Sequence, residues 1–501
     1  MGVKLPTIDE LARIAKEFYL DLSEADLASF QGLMQGTLSS YDRIEQLTEP
    51  TLSVKYPRSP GYRPQPEDNP FNAWYWKTSI QGAASGKLQG KTIAIKDNVC
   101  VAGVPMMNGA AVLEGYVPEV DATIVTRILD EGGEIVGKAV CENLCFSGSS
   151  FTSATGPVRN PYDETRTTGG SSSGSGALVA GGVVDMAIGG DQGGSIRIPA
   201  AWCGIVGLKP TYGLVPYTGV FPIELTLDHT GPMTRTVADT ALMLEVIAGP
   251  DGLDPRQYDV QVADSYTAAL TGEVNGLKIG ILTEGFGWAV SEPDVDELVK
   301  AAAYRLEKLG AEVGEVSVPM HKDGVHVWTP IATEGAAMLM VKGNGMGTNW
   351  KGHYTTSLLD VYARGRQTRA DDLSETTKLV MLTGQYMQDK YHGRYYAKAQ
   401  NIARSLRSAY NKALREYDVL VMPTLPMKAT KIPPAAAPRA DYIARALEML
   451  PNTAPFDVTG HPAITVNAGM SEGLPVGMMI VGRYWDEPTV LRVAHAFEQL
   501  G

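Results

Sequence analysis

Two Gly/Ser-rich turns lie within Thr167–Pro210, and they mark the stretch of the chain best suited to chemistry. It reads TTGGSSSGSGALVAGGVVDMAIGGDQGGSIRIPAAWCGIVGLKP. The first turn is Gly169-Gly170-Ser171-Ser172-Ser173-Gly174 and the second Gly189-Gly190-Asp191-Gln192-Gly193-Gly194-Ser195. Without a Cβ in the way, turn N–H groups can approach a bound oxygen. The run Ile196–Gly204 predicts a helix with Pro199 early, where a missing N–H costs little. Ser195 then stands at a helix N-terminus, where free N–H groups and the dipole favour negative charge. A serine so placed can attack an electrophile while the turn receives the developing charge. A P-loop needs Gly-Lys-Ser/Thr at the end of its turn, and no glycine here leads into that triplet. A dinucleotide fingerprint fails as well, because Val179 stands where the third glycine is needed after Gly174 and Gly176.

The surrounding elements must hold these turns in place. Ala177–Val184 reads as a close-packing helix of small residues and Asp185–Ile188 as a short buried strand. Upstream, Thr92–Ile95 is a strand that Lys96 terminates, followed by Asp97-Asn98. A lysine is ordinarily solvated, but one ending an apolar strand is favoured for burial. A helix over Ala122–Glu131 and a strand over Glu134–Lys138 complete a βαβ rhythm. It repeats in the strand Leu277–Leu282, the helix Asp294–Leu309 and the strand Glu312–Val318. Further strands are expected at Asp418–Met422, Ala463–Asn467 and Gly477–Val481, with helices at Thr236–Ile247, Thr376–Lys398 and Thr489–Gln499. Phe71–Trp76 leads into a polar loop, and Cys141–Ser150 is a loop or short helix beside the site. The alternation predicts an α/β fold with a large mixed sheet.

Residues 1–65 read as a helical extension. Ile8, Leu11, Ile14 and Phe18 recur at helical spacing, and Ser23-Glu-Ala-Asp26 is a start signal for a helix over Leu27–Leu47. That run carries Leu27, Phe30, Leu33, Met34 and Leu38 on one stripe, either a layer on the rest of the chain or a subunit-contact arm. Tyr56–Pro70 reads as a linker, leaving 66–501 as the second domain.

A net charge of −13 argues against nucleic acid or an anionic membrane as partner. No apolar run is long enough to span a bilayer, the N-terminal segment is too charged for a signal peptide, and Pro6 makes Met1-Gly2 a poor myristoylation site. Four cysteines, Cys100, Cys141, Cys145 and Cys203, point to a reducing compartment. Cys141 and Cys145 are spaced for one helix face, without partners at zinc spacing, and read as buried apolar residues. No histidine sits in a metal motif, so neither a metal nor a cofactor is expected.

The two turns and the lysine segment together resemble the amidase signature family. Its hallmarks are a Gly-Gly-Ser-Ser turn, a Gly-x-Asp-x-Gly-Gly-Ser turn running into Ile-Arg-x-Pro-Ala, and the lysine of Lys91-Thr-Ile-Ala-Ile-Lys96-Asp97-Asn98. The resemblance covers roughly Phe71 to the C-terminus. It implies the amidase signature fold: a mixed sheet with helices on both faces, here with an N-terminal helical extension. It also implies Ser195 as nucleophile, Ser171 as bridging serine and Lys96 as base. A neutral lysine can replace histidine by passing protons through a hydroxyl that both donates and accepts. The N–H groups of Gln192, Gly193, Gly194 and Ser195 are the expected oxyanion hole. In the family the peptide before the bridging serine, here Gly170–Ser171, is cis. Acids must be kept from Lys96, so Asp191 is expected to face Arg197, and Asp228 and Arg235 are assigned to scaffolding.

Branches of this family differ in substrate. The glutaminase subunit of the aminoacyl-tRNA amidotransferases carries Asp-Glu-Phe where this chain has Glu142-Asn143-Leu144, and an acidic residue where this chain has Leu450. With the long N-terminal arm, these differences make the chain most similar to the enantioselective amidases associated with nitrile hydratases. Phe146, Trp328 and Leu450 are the candidates for an apolar acyl pocket, with ordinary core packing an equal reading of Trp328. The expectation is a cytoplasmic, homodimeric hydrolase of aliphatic and aromatic primary carboxamides, its pathway neighbour a nitrile hydratase. The alternatives are a glutaminase-type subunit of an aminoacyl-tRNA amidotransferase and a non-catalytic binding protein on the same scaffold.

Overall fold

The computed structural model describes residues 3–501, so the Met1-Gly2 site weighed for myristoylation lies outside the described residues. The chain forms two units, one ending at Ser53 and the other spanning Val54–Gly501. In the smaller unit two helices, Ile8–Glu17 and Glu24–Glu45, each begin with a capping box, Thr7 with Glu10 and Ser23 with Asp26. Leu11, Ala15 and Leu27 form its small core, with Met34 packed against it. Two helices share only one line of contact, so Phe30 and Leu33 of the expected stripe are left 51% and 71% exposed.

The division at Ser53 falls earlier than the expected 65/66 boundary. Residues 54–65 are bound to the larger unit instead. Tyr62 and Lys77 exchange backbone hydrogen bonds of 2.9 Å, the Trp76 indole donates to Pro60 O at 2.7 Å, and Lys55 pairs with Asp130 at 2.6 Å.

The strands are β1 (Trp74–Gln81), β2 (Thr92–Lys96), β3 (Glu134–Ala139), β4 (Arg159–Asn160), β5 (Asp163–Thr167), β6 (Met186–Asp191), β7 (Val206–Lys209), β8 (His229–Thr234), β9 (Lys278–Leu282), β10 (Glu312–Val316), β11 (Val419–Pro423), β12 (Ala463–Ser471) and β13 (Leu474–Val481). Except for the β4–β5 hairpin they form one 11-stranded sheet, ordered β1-β3-β2-β6-β8-β7-β12-β13-β11-β9-β10. It is mixed: β3, β2 and β6 run parallel, β6, β8, β7, β12, β13 and β11 alternate, and β11, β9 and β10 run parallel again. Helices flank it, as expected.

Both expected βαβ units are present, with helices at Thr123–Asp130 and Pro293–Tyr304. Buried on both faces, the central strands read as continuous apolar runs, as in Leu474–Val481. The helix Ser173–Ala180 lies so close to the sheet that a Cβ on Gly174 would meet Val140 N at 2.6 Å. Several elements differ from expectation. β1 replaces the polar loop after Phe71–Trp76, and β7 and β8 were not anticipated. The run 376–398 is divided between the helices Glu375–Tyr391 and Arg394–Glu416, because His392 and Gly393 take left-handed φ values of 57° and 75°. Cys141 and Cys145 share no helix: the segment is a short turn with Leu144 and Cys145 at positive φ.

Candidate functional site

β2 and β6 are parallel neighbours with Ile95 opposite Ile188, so Lys96 and Asp191 emerge at the same end of the sheet. Lys96 is fully buried, and its Nζ donates to Ser171 Oγ at 2.8 Å and to Gly190 O at 3.1 Å. The adjacent acid is turned away: Asp97 pairs with Lys138 at 3.0 Å and accepts from the N–H groups of Met107 and Asn108. Among the described residues no carboxylate forms an ion pair with Lys96. The Gly170–Ser171 peptide is cis. Ser172 laces the two turns together. Its hydroxyl donates to Gly190 O and accepts from Gly190 N–H, both at 3.2 Å, while its own N–H donates to Ser195 O at 3.3 Å.

The second turn rests on a buried ionic base. Asp191 faces Arg197, as expected, at 3.0 Å, and Arg197 also reaches Asp457 at 2.8 Å. Burial opposes charge on Asp191, yet the guanidinium of Arg197 outweighs it and holds the carboxyl well below the usual carboxylate range. Asp191 also accepts from Gly194 N–H at 2.6 Å and Ile196 N–H at 3.1 Å. Here the expected oxyanion hole needs correction, because the Gly194 N–H is already occupied. The N–H groups of Gln192, Gly193 and Ser195 have no acceptor among the described residues. Gly194 is nevertheless required: its φ is +133° and a Cβ would collide with Thr453 Oγ1. Thr453 donates that hydroxyl to Gly193 O at 2.6 Å, and the Trp328 indole donates to Gln192 O at 2.7 Å.

Ser195 opens onto a small pocket, which all three expected acyl-pocket residues, Phe146, Trp328 and Leu450, line together with Gln192 and Gly193. Ile223, Leu227, Ala332 and Leu447 extend its apolar wall, and no charged side chain lines it among the described residues. Phe146 and Trp328 face each other with ring centroids 6.4 Å apart. Trp328 is half-buried against the cluster of Ile198, Trp202 and Leu450 and also lines the pocket. Asp228 accepts from Ile223 N–H and Arg235 donates to Val184 O, which fits scaffolding.

Sequence reasoning missed three residues. Cys145 lines the pocket, and its thiol and that of Cys141 both donate to Asn108 Oδ1, at 3.2 and 3.4 Å. Burial opposes ionisation of the Cys145 thiol, while the hydrogen bond from the neighbouring Cys141 thiol favours it and draws it below its ordinary value. Thr453 and Asp457 lie more than two hundred residues beyond the turn they support, with no local signal to link them. Among the described residues no group of three or more metal-ligating side chains occurs and no helix is long and apolar enough to cross a membrane.

The family model described as Amidase matches residues 66–491. An enantioselective amidase from Rhodococcus rhodochrous is 52% identical over 497 residues, covering 98% of this chain and 95% of that protein. Among solved structures, a glutamyl-tRNA(Gln) amidotransferase subunit from Thermotoga maritima is similar with a TM-score of 0.70 and 30% identity, covering 100% of this chain and 96% of its own. The peptide amidase from Stenotrophomonas maltophilia is similar with a TM-score of 0.67 and 28% identity over 83% of each chain.

Proposed function

This chain belongs to the amidase signature family, and from that premise we propose that it hydrolyses primary carboxamides, aromatic and aliphatic, to carboxylic acids and ammonia. The observation that carries the reading is the 2.8 Å contact between buried Lys96 and Ser171, beside a Ser195 that lines an apolar pocket. Ser195 Oγ attacks the amide carbonyl carbon and gives its proton to Ser171 as Ser171 gives its own to the free amine of Lys96. The oxyanion lies against the N–H groups of Gly193 and Ser195, where each such donor is worth about 3 kcal/mol. The proton returns through Ser171 to the amide nitrogen, the C–N bond breaks, and ammonia leaves an acyl group on Ser195. Water then attacks the ester by the same relay and frees the acid.

The pocket supports an uncharged acyl group. A phenyl or alkyl chain would bury against Phe146, Trp328 and Leu450, whereas the ammonium of glutamine would find no carboxylate on the wall. That favours an amidase over a tRNA-dependent amidotransferase subunit, the second reading, which the likeness to the Thermotoga maritima protein supports. The exposed Phe30, Leu33, Tyr41 and Ile44 of the N-terminal helices support a homodimer contact. The four free cysteines support a cytoplasmic setting, and a nitrile hydratase would supply such amides. The test is ammonia release from benzamide by the purified chain alone. A chain that releases none, but gains activity with a tRNA-binding partner, would favour the second reading.

A further inference from the structure

We infer that Trp328 is a positioning residue for the oxyanion hole, its indole N–H orienting the peptide whose other end presents Gly193 N–H to the substrate. This rests on the amidase reading above and adds a part to that site. A trans peptide points its C=O and N–H in opposite directions, so whatever holds the carbonyl aims the amide. Three successive peptides follow Gln192, and each carbonyl has a different holder. Gln192 O accepts from Trp328 Nε1 at 2.7 Å, Gly193 O from Thr453 Oγ1 at 2.6 Å, and Gly194 O from Ile198 N at 2.7 Å. The middle peptide is fixed at both ends, because its N–H, that of Gly194, donates to Asp191 at 2.6 Å. The outer two leave the N–H groups of Gly193 and Ser195 without an acceptor among the described residues, two residues apart.

Ser195 N–H is held through the first turn of the helix it precedes. Gly193 N–H has no such backbone support, and among the described residues the indole of Trp328 alone fixes its plane. The fit is close, since a Cβ on Gly193 would meet Trp328 Cζ2 at 2.9 Å. The wall that meets the acyl group therefore also sets the donor that meets the oxyanion. A loose donor still permits substrate binding but must reorganise as charge develops, so the cost falls on kcat rather than KM.

The test replaces Trp328 by phenylalanine, which keeps an aromatic wall, and separately by benzothienylalanine, which keeps the ring shape and substitutes sulfur for N–H. Loss of a whole donor costs 10²–10³-fold in kcat in comparable sites, so loss of its support is expected to cost about tenfold to a hundredfold. In the benzothienylalanine variant, which keeps the wall, KM for benzamide should stay within about threefold. Affinity for phenylboronic acid, whose serine adduct carries the tetrahedral oxygen, should fall in parallel with kcat. A benzothienylalanine variant with wild-type kcat and wild-type boronate affinity would overturn the inference, as would a rise in KM at unchanged kcat. A wild-type protein that neither hydrolyses amides nor binds the boronate would remove the amidase reading itself, and this inference with it.

Discussion

Replacing Leu450 by aspartate tests the pocket from the inside. Leu450 is 7% exposed and lines the pocket with Phe146 and Trp328, and no charged group shares that lining. A benzamide ring buries on the order of 100 Å² of apolar surface against such a wall, worth about 2.5 kcal/mol at 25 cal/mol per Å². Glutamine offers a shorter apolar stem and leaves its ammonium unpaired, a penalty of about 1–3 kcal/mol. The two terms act in the same direction, so kcat/KM for benzamide should exceed that for glutamine by at least about a hundredfold, or roughly 2.7 kcal/mol. Leu450→Asp removes apolar contact and places a carboxylate near the acyl group, narrowing the gap mainly by harming benzamide. Both ratios can be read from ammonia release under initial-rate conditions. Equal kcat/KM for the two substrates in the wild type, or a Leu450→Asp variant with unchanged benzamide kinetics, would refute the apolar-pocket reasoning and leave the serine chemistry untouched.

Lys96→Ala should lower kcat/KM by more than the usual roughly 10²–10⁴ for one acid–base group, since both proton transfers pass through it; activity within tenfold of wild type would remove it as the base. Burial pushes His321 down to about 4 from its ordinary 6.5, between Tyr410 OH at 2.7 Å and Asn452 Oδ1 at 3.0 Å. The unfolded chain therefore takes up the proton first, and the stability this neutral ring contributes above pH 6.5 is lost as pH falls towards 4. Denaturation of wild type and His321→Gln across that window should differ in slope, by about 3 kcal/mol in all; parallel profiles would count against it.

The glycine-rich turns, the buried lysine and the helix start were legible because their signals are local. Glycine flanking serine, a lysine ending an apolar strand, and Ser23 three residues before Asp26 each specify geometry within a few positions. What supports the second turn was not legible, because Thr453 and Asp457 reach it only through the folded sheet and its helices, and the bond from Trp328, itself a pocket candidate, to Gln192 O has no local signal. β8 escaped notice for a different reason. Pro232 reads against a central strand, but β7 pairs β8 only at Thr234 and Met233, so the ladder on that side ends before the proline. Gly393, following a helical run, was an ordinary C-terminal signal that could have divided 376–398. Cys145 is buried, as expected, but its place at the pocket follows from the turn at Leu144 and Cys145, which the sequence does not signal.

The central claim is that Ser195 carries the acyl group, and rapid quenching during benzamide turnover followed by peptide mapping tests it most directly. A benzoyl ester on Ser195 in the wild type, with neither ester nor turnover in Ser195→Ala, is the predicted result. A fully active Ser195→Ala protein, or a benzoyl group recovered on another residue such as Cys145, would contradict it.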